Sequence, residues 1–170
     1  DDILLMGNSI TETIMARDTL IFVLQHLGFL VNTTKSIFQP CQKLEFLGVV
    51  VDSKEMSLSL PPDKLKAIID HCQKFLQEKE VIIREMSQLL GKLSSSTIAV
   101  LPAPLQYRSL QRQEILELSL KKNYNAKMSL TAEMRMELEW WVNNLHMNNG
   151  RTLLANPPQI NITSDASMQG

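Results

Sequence analysis

The chain has 170 residues, 44% of them hydrophobic and 21% charged, a composition that suits a soluble globular protein with a buried core. Its 17 basic and 18 acidic residues leave a net charge of -1, so no overall basic field announces nucleic-acid binding; a local basic surface would still suffice for it. No run approaches the ~18 uninterrupted apolar residues of a membrane span, and no basic flank with an apolar leader opens the chain.

Asp1-Asp2 stand directly before the apolar run Ile3-Leu4-Leu5-Met6, which reads as a short buried strand closed by Gly7-Asn8. Adjacent carboxylates at the edge of such a strand repel each other and resist burial. They fit either a solvated terminus or a metal site in a chain that reads as a fragment. Ser9 and Glu12 have capping-box spacing, and Ala16, Leu20, Val23 and Leu27 give the helix that follows an apolar face, ended by Gly28. A brief β-rich piece, Phe29-Leu30-Val31, leads to the polar turn Asn32-Thr33-Thr34-Lys35. From Lys43 to Leu60 the period changes to two, and Leu44, Phe46, Met56, Leu58 and Leu60 predict a β-hairpin that Pro61-Pro62 stop.

Beyond the prolines the pattern is helical. Leu65, Ile68, Ile69, Cys72 and Phe75 form one stripe, and each large side chain in it contributes ~1.5–3 kcal/mol when buried. Met86, Leu89, Leu90 and Leu93 repeat the pattern in a second helix that weakens at Ser94-Ser95-Ser96. Pro104 suits the first turn of a third helix carrying Leu105, Tyr107, Leu110, Leu116 and Leu118. Residues 121–129 read as a polar loop. A last helix starts near Ser129 or Thr131 with Met134, Leu138, Trp141 and Leu145 on its buried face, while Trp140 is partly exposed or interfacial. Asn148-Asn149-Gly150 end it, residues 151–159 read as a linker, and Ile160 to Asp165 alternate as a strand. Cys41 and Cys72 make no metal-ligand cluster with His26, His71 or His146, so they read as idle thiols of a reducing compartment, cytoplasm or nucleus.

This order of parts resembles the C-terminal part of a retroelement reverse transcriptase, closest to the LTR and DIRS types. Asp1-Asp2 look like the end of the Tyr-X-Asp-Asp motif, and Asn32 to Lys35 resemble the lysine-bearing turn after it. Lys43 to Leu60, with Phe46-Leu47-Gly48, is similar to the primer-grip hairpin. Arg84-Glu85-Met86 through Leu89-Leu90-Gly91-Lys92-Leu93 look like the first thumb helices. Leu138-Glu139-Trp140-Trp141, followed by Ile162-Thr163-Ser164-Asp165-Ala166-Ser167, resemble a connection and the first strand of RNase H.

The resemblance implies an α+β fold in three parts: the C-terminal part of a polymerase palm over 1–62, a helical thumb and connection over 63–149, and a linker with one RNase H-like strand over 150–170. It implies RNA-directed DNA polymerisation by the parent enzyme on an RNA template with a DNA primer and dNTP, with Mg²⁺ as cofactor. Asp1 would be the main metal ligand and Asp2 a secondary one, since strand neighbours face opposite ways. Oxygen ligands of this kind suit hard Mg²⁺, and two such ions serve nucleotidyl transfer. Lys35 would neutralise or protonate the departing pyrophosphate, and Asp165 would be the first metal-binding acid of RNase H. Phe46, Leu47 and Gly48 would meet the primer. Lys64, Lys66, Lys92, Arg108, Arg112, Lys121 and Lys122 are candidates for phosphate contact.

The motif with the first catalytic aspartate and the dNTP-binding fingers are missing from this sequence, so the chain by itself is expected not to polymerise. Two alternatives remain: a non-catalytic nucleic-acid-binding remnant of a retroelement, and a helical interaction protein with an accidental acidic start.

Overall fold

A computed structural model describes residues 2–154. Asp1, Asp165 and the strand expected over 160–165 lie outside the described residues. Within them the protein is a mixed α+β structure of five helices and small antiparallel sheets.

Helix α1 (Ile10–His26) begins as its capping box requires: the Glu12 N–H donates to Ser9 Oγ at 3.1 Å. Glu12 Oε2 reaches back one residue further than expected, accepting from the Asn8 N–H at 2.9 Å. Gly28, at φ +83°, ends it. The expected burial does not follow, since α1 buries none of its residues. Ile3 to Met6 form no strand, and Ile3 and Met6 are 56% and 81% exposed. An apolar run becomes a strand only when another strand takes its backbone N–H and C=O groups, and none among the described residues does so. Phe29-Leu30-Val31 is irregular for the same reason. The turn at Asn32 forms as expected, with Asn32 Oδ1 accepting from the Thr34 and Lys35 N–H groups at 3.2 Å each.

The expected hairpin is a three-stranded meander. β1 (Lys43–Phe46), β2 (Val49–Asp52) and β3 (Ser57–Ser59) pair antiparallel in register Phe46↔Val49 and Val51↔Leu58. Leu47 (φ +49°) and Gly48 (φ +74°) form the two-residue turn between β1 and β2. Two positive φ angles match the right-handed twist of the strands, but a leucine there is strained by roughly 1–2 kcal/mol. At the next turn Asp52 Oδ1 accepts from the Lys54 and Glu55 N–H groups at 3.1 and 3.0 Å. Glu55's N–H foremost, aided by Lys43, holds the Asp52 carboxyl below the usual aspartate range. A fourth strand, β6 (Arg151–Thr152), comes from the expected linker and pairs with β3.

The helical part is α2 (Pro62–Gln77), α3 (Ile83–Ser95), α4 (Arg108–Lys121) and α5 (Ala132–Asn148). Pro62 fits the first turn of α2 because its missing N–H costs nothing there. Leu65, Ile68, Cys72 and Phe75 of α2 are buried with Met86, Leu89 and Leu93 of α3. Met134, Leu138, Trp141 and Leu145 of α5 join them, as the period predicted. The third helix starts later than expected: Pro104 sits in a separate 3₁₀ turn (Ala103–Leu105). β4 (Glu80–Ile82) and β5 (Lys127–Ser129), missed in the sequence, pair to clasp the two ends of the α3–α4 segment. Val49 and Leu60 belong to the same buried cluster as the helices.

Helix α5 organises the rest by hydrogen bonds to other elements' backbones. Arg135 donates to Leu76 O at 3.0 Å and to Glu78 O at 2.7 Å, satisfying carbonyls at the end of α2. Glu137 accepts from the Ser109 and Leu110 N–H groups at 2.8 and 2.9 Å, capping α4. Trp141 Nε1 donates to Gln106 O at 2.7 Å. At its end, Asn149 Oδ1 accepts from the Leu60 N–H at 2.7 Å, and Asn149 Nδ2 donates to Leu60 O at 3.3 Å.

Candidate nucleic-acid interface

Two surfaces combine an open glycine with a nearby cation. At the first, the Leu47-Gly48 turn projects Leu47 into solvent, 71% exposed. Lys64, from the first turn of α2, donates to Gly48 O at 3.3 Å. The positive φ of Gly48 favours glycine, and a Cβ there would also meet Lys64 Nζ at 3.4 Å. The meander thus positions the turn, and the start of α2 sets an ammonium against it. Phe46, one residue earlier, is half-buried.

The second surface lies along α3. Gly91 occupies the middle of this helix, where glycine costs roughly 1 kcal/mol relative to alanine. Its φ needs no glycine, and a Cβ built there would meet nothing within 4 Å. Internal packing therefore does not explain the residue. It forms part of the floor of a groove of about 220 Å³ between α3 and α4, with Leu90 and Ser94 on one side and Tyr107, Gln111 and Ile115 on the other. At one end the Ser87 hydroxyl donates to Glu114 Oε1 at 2.5 Å. Arg108 lies over the Tyr107 ring at 5.5 Å and donates to Gln111 Oε1 at 3.1 Å. Arg112, one turn on, is exposed.

Next to Gly91, Lys92 turns toward α2, and its Nζ lies 3.4 Å from His71 Nδ1. Burial first, then the Lys92 and Lys74 ammoniums, hold the His71 imidazole below the usual histidine range. Neutral His71 can accept from Lys92 while its ring packs edge-on against Phe75, centroids 4.7 Å apart. Lys74 is paired with Glu85 at 2.8 Å, and that hydrogen bond raises its pKa. Cys72, beside His71, is fully buried, and burial pushes its thiol up to about 12.

The remaining candidates are dispersed. Asp2 and Lys35 are exposed in the 2–42 segment, and no hydrogen bond among the described residues joins Lys35's side chain to another element. Lys66 and Lys122 are exposed, while Lys121 is held by Glu117 at 2.7 Å. Among the described residues no three His, Cys, Asp or Glu side chains gather as a metal site. Asp2 is an oxygen donor of the type Mg²⁺ takes, but one exposed carboxylate does not fit such an ion, so the described residues form no Mg²⁺ site. Sequence reasoning missed His71 as a partner of Lys92, and the Tyr107–Gln111 wall. The one available signal was Gly91 inside a strongly periodic helix. No family model, curated protein or solved structure matches this chain.

Proposed function

We propose that this chain is the part of a retroelement reverse transcriptase that holds the nucleic-acid duplex: the primer-side hairpin of the palm followed by thumb helices. The observation that carries the reading is Gly91, a mid-helix glycine that packing does not require, on the floor of an open groove whose α4 side carries Arg108, set over the Tyr107 ring that lines it. A missing side chain on a helix lets a sugar-phosphate backbone approach closely, and Arg108 and Arg112 supply charge for its phosphates, while Lys92 supplies charge on the α2 side of α3. Gly48 with Lys64 repeats the combination at the hairpin. On this reading Asp1-Asp2 and Asp165 belong to catalytic centres completed by acids elsewhere in the polypeptide. RNA template, DNA primer and dNTP are then the partners of the whole enzyme, with Mg²⁺ as its cofactor.

The test is fluorescence anisotropy of a labelled RNA–DNA duplex against the purified chain over a salt series. Affinity should fall linearly on a log–log salt plot, and Arg108→Ala should reduce the slope by about 1. Gly91→Leu should weaken binding while leaving the circular dichroism spectrum nearly unchanged and the melting temperature equal or a few degrees higher, because the added side chain meets open space and leucine favours the helix. Salt-independent binding, or undiminished affinity in the folded Gly91→Leu protein, would remove the reading. The chain alone should extend no primer; measurable extension on an RNA template would contradict its assignment as a partial enzyme.

A further inference from the structure

The junction between α5 and β6 fixes two adjacent residues for independent reasons. Position 149 needs a planar group that both accepts and donates, because it meets the Leu60 N–H at 2.7 Å and Leu60 O at 3.3 Å. Asparagine does this with one short amide. In effect its side chain continues the β3–β6 ladder beyond Leu58↔Arg151, at the residue where the chain leaves α5. Position 150 needs glycine, because its φ is +145°. The fold therefore demands Asn149-Gly150, and a glycine after asparagine leaves its backbone nitrogen unshielded by any side chain.

We infer that Asn149 is a site of spontaneous deamidation, held unreactive by the fold, whose conversion unlatches β6 from the sheet. In the reaction the Gly150 nitrogen attacks Asn149 Cγ. The N–Cγ bond forms, the Gly150 proton passes to the departing amide nitrogen, the Cγ–Nδ2 bond breaks and ammonia leaves. Water then opens the cyclic imide at either carbonyl, giving an aspartyl or isoaspartyl residue at position 149. In the folded protein both reacting groups are engaged: the amide on Leu60, and the Gly150 N–H on Ala99 O at 3.2 Å. Ala99 is fully buried and Leu60 only 2% exposed, so neither bond is readily replaced by water. Reaction thus proceeds through molecules in which this junction has opened. Once converted, a carboxylate oxygen replaces the donor facing Leu60 O, setting acceptor against acceptor. The isoaspartyl form also lengthens the main chain between α5 and β6.

The full chain is held at mildly alkaline pH in native buffer and, in parallel, in urea, with peptide mapping and ammonia release followed over time. Conversion at Asn149 should be roughly tenfold or more slower in the native sample. Asn148, which also carries a helix-end amide but precedes no glycine, should stay unconverted in both. Protein converted in urea and returned to native buffer should lose hydrogen-exchange protection at the Leu60 amide, and Asn149→Asp should reproduce that loss. Equal native and unfolded rates, or a converted protein with the Leu60 amide still protected, would overturn the inference. If Asn149→Asp does not fold, the comparison of rates on the unaltered chain decides alone.

Discussion

Cys72 and His71 are sequence neighbours on α2, yet the helix turns one into the core and the other to its rim. The buried thiol, pushed up to about 12, gives almost no thiolate near neutral pH. Iodoacetamide should therefore label the exposed Cys41 in the native protein and reach Cys72 only on unfolding, which mass spectrometry of the two cysteine peptides will show. His71 gives a pH dependence. Its folded pKa is depressed, so the folded state binds this proton more weakly than the unfolded chain does. Its contribution to stability is full above the ordinary histidine pKa of about 6.5 and is lost as pH falls through the lower folded value. The groups facing it are Lys92, Lys74, Glu85 and Glu78. Thermal melts should show a decline on acidification that is shallower in His71→Gln; identical profiles would refute the assignment.

At the scale of the element, the helices were legible where one face alone is buried. The stripes of α2, α3 and α5 obey the 3.6-residue period closely, and the N-cap roles of Ser9 and Thr131 follow from local chemistry. What escaped the sequence depends on partners far along the chain. β4 and β5 have three residues each and exist because they pair with each other across α3 and α4. β6 has two and exists because β3 is already in place. The Leu47-Gly48 turn was hidden because leucine is a poor occupant of a left-handed position, and the groove wall because Tyr107 precedes α4 instead of lying within it and Gln111 is polar. The capping of α4 was equally invisible: its N-terminus has no side-chain cap of its own and relies on Glu137, 27 and 28 residues away. Glu137→Ala should cost about 1–3 kcal/mol by stripping two backbone donors of their acceptor, seen as a lower urea midpoint with an unchanged m-value. Glu137→Gln, which keeps an acceptor, should recover much of the loss.

For the whole molecule, the buried cluster spans Val49 to Leu145, whereas residues 2–42 bury no α1 side chain and leave Phe22, Phe29 and Leu30 exposed. Arg17 ties α1 to the loop through Phe38 O at 2.9 Å, and Gln42 O accepts from the Ser53 N–H and hydroxyl to join this region to the meander. The apolar face of a helix contributes stability only when something covers it. Limited proteolysis should therefore cut first between Gly28 and Cys41 and leave a resistant product beginning near Lys43, identified by intact mass. Preferential early cleavage inside α2 or α5 would show that the buried cluster is not the stable unit. This imbalance also marks what the sequence alone conveyed about the candidate site. The residues around Gly91 come with their own framework, while Asp2 and Lys35 sit where the described chain supplies little.

The braces supplied by α5 bear on how the protein is made. A polypeptide leaves the ribosome amino end first, and domains generally fold as units during synthesis. Here the carbonyls closing α2 and the amides opening α4 find their partners only when Arg135 and Glu137 have emerged, and Leu60 waits for Asn149. Helices formed early in translation thus stay unfinished until nearly the last described residue is out of the exit tunnel. A nascent chain halted before Asn149 would linger in an open state, prey for chaperones and proteases, however complete its earlier helices.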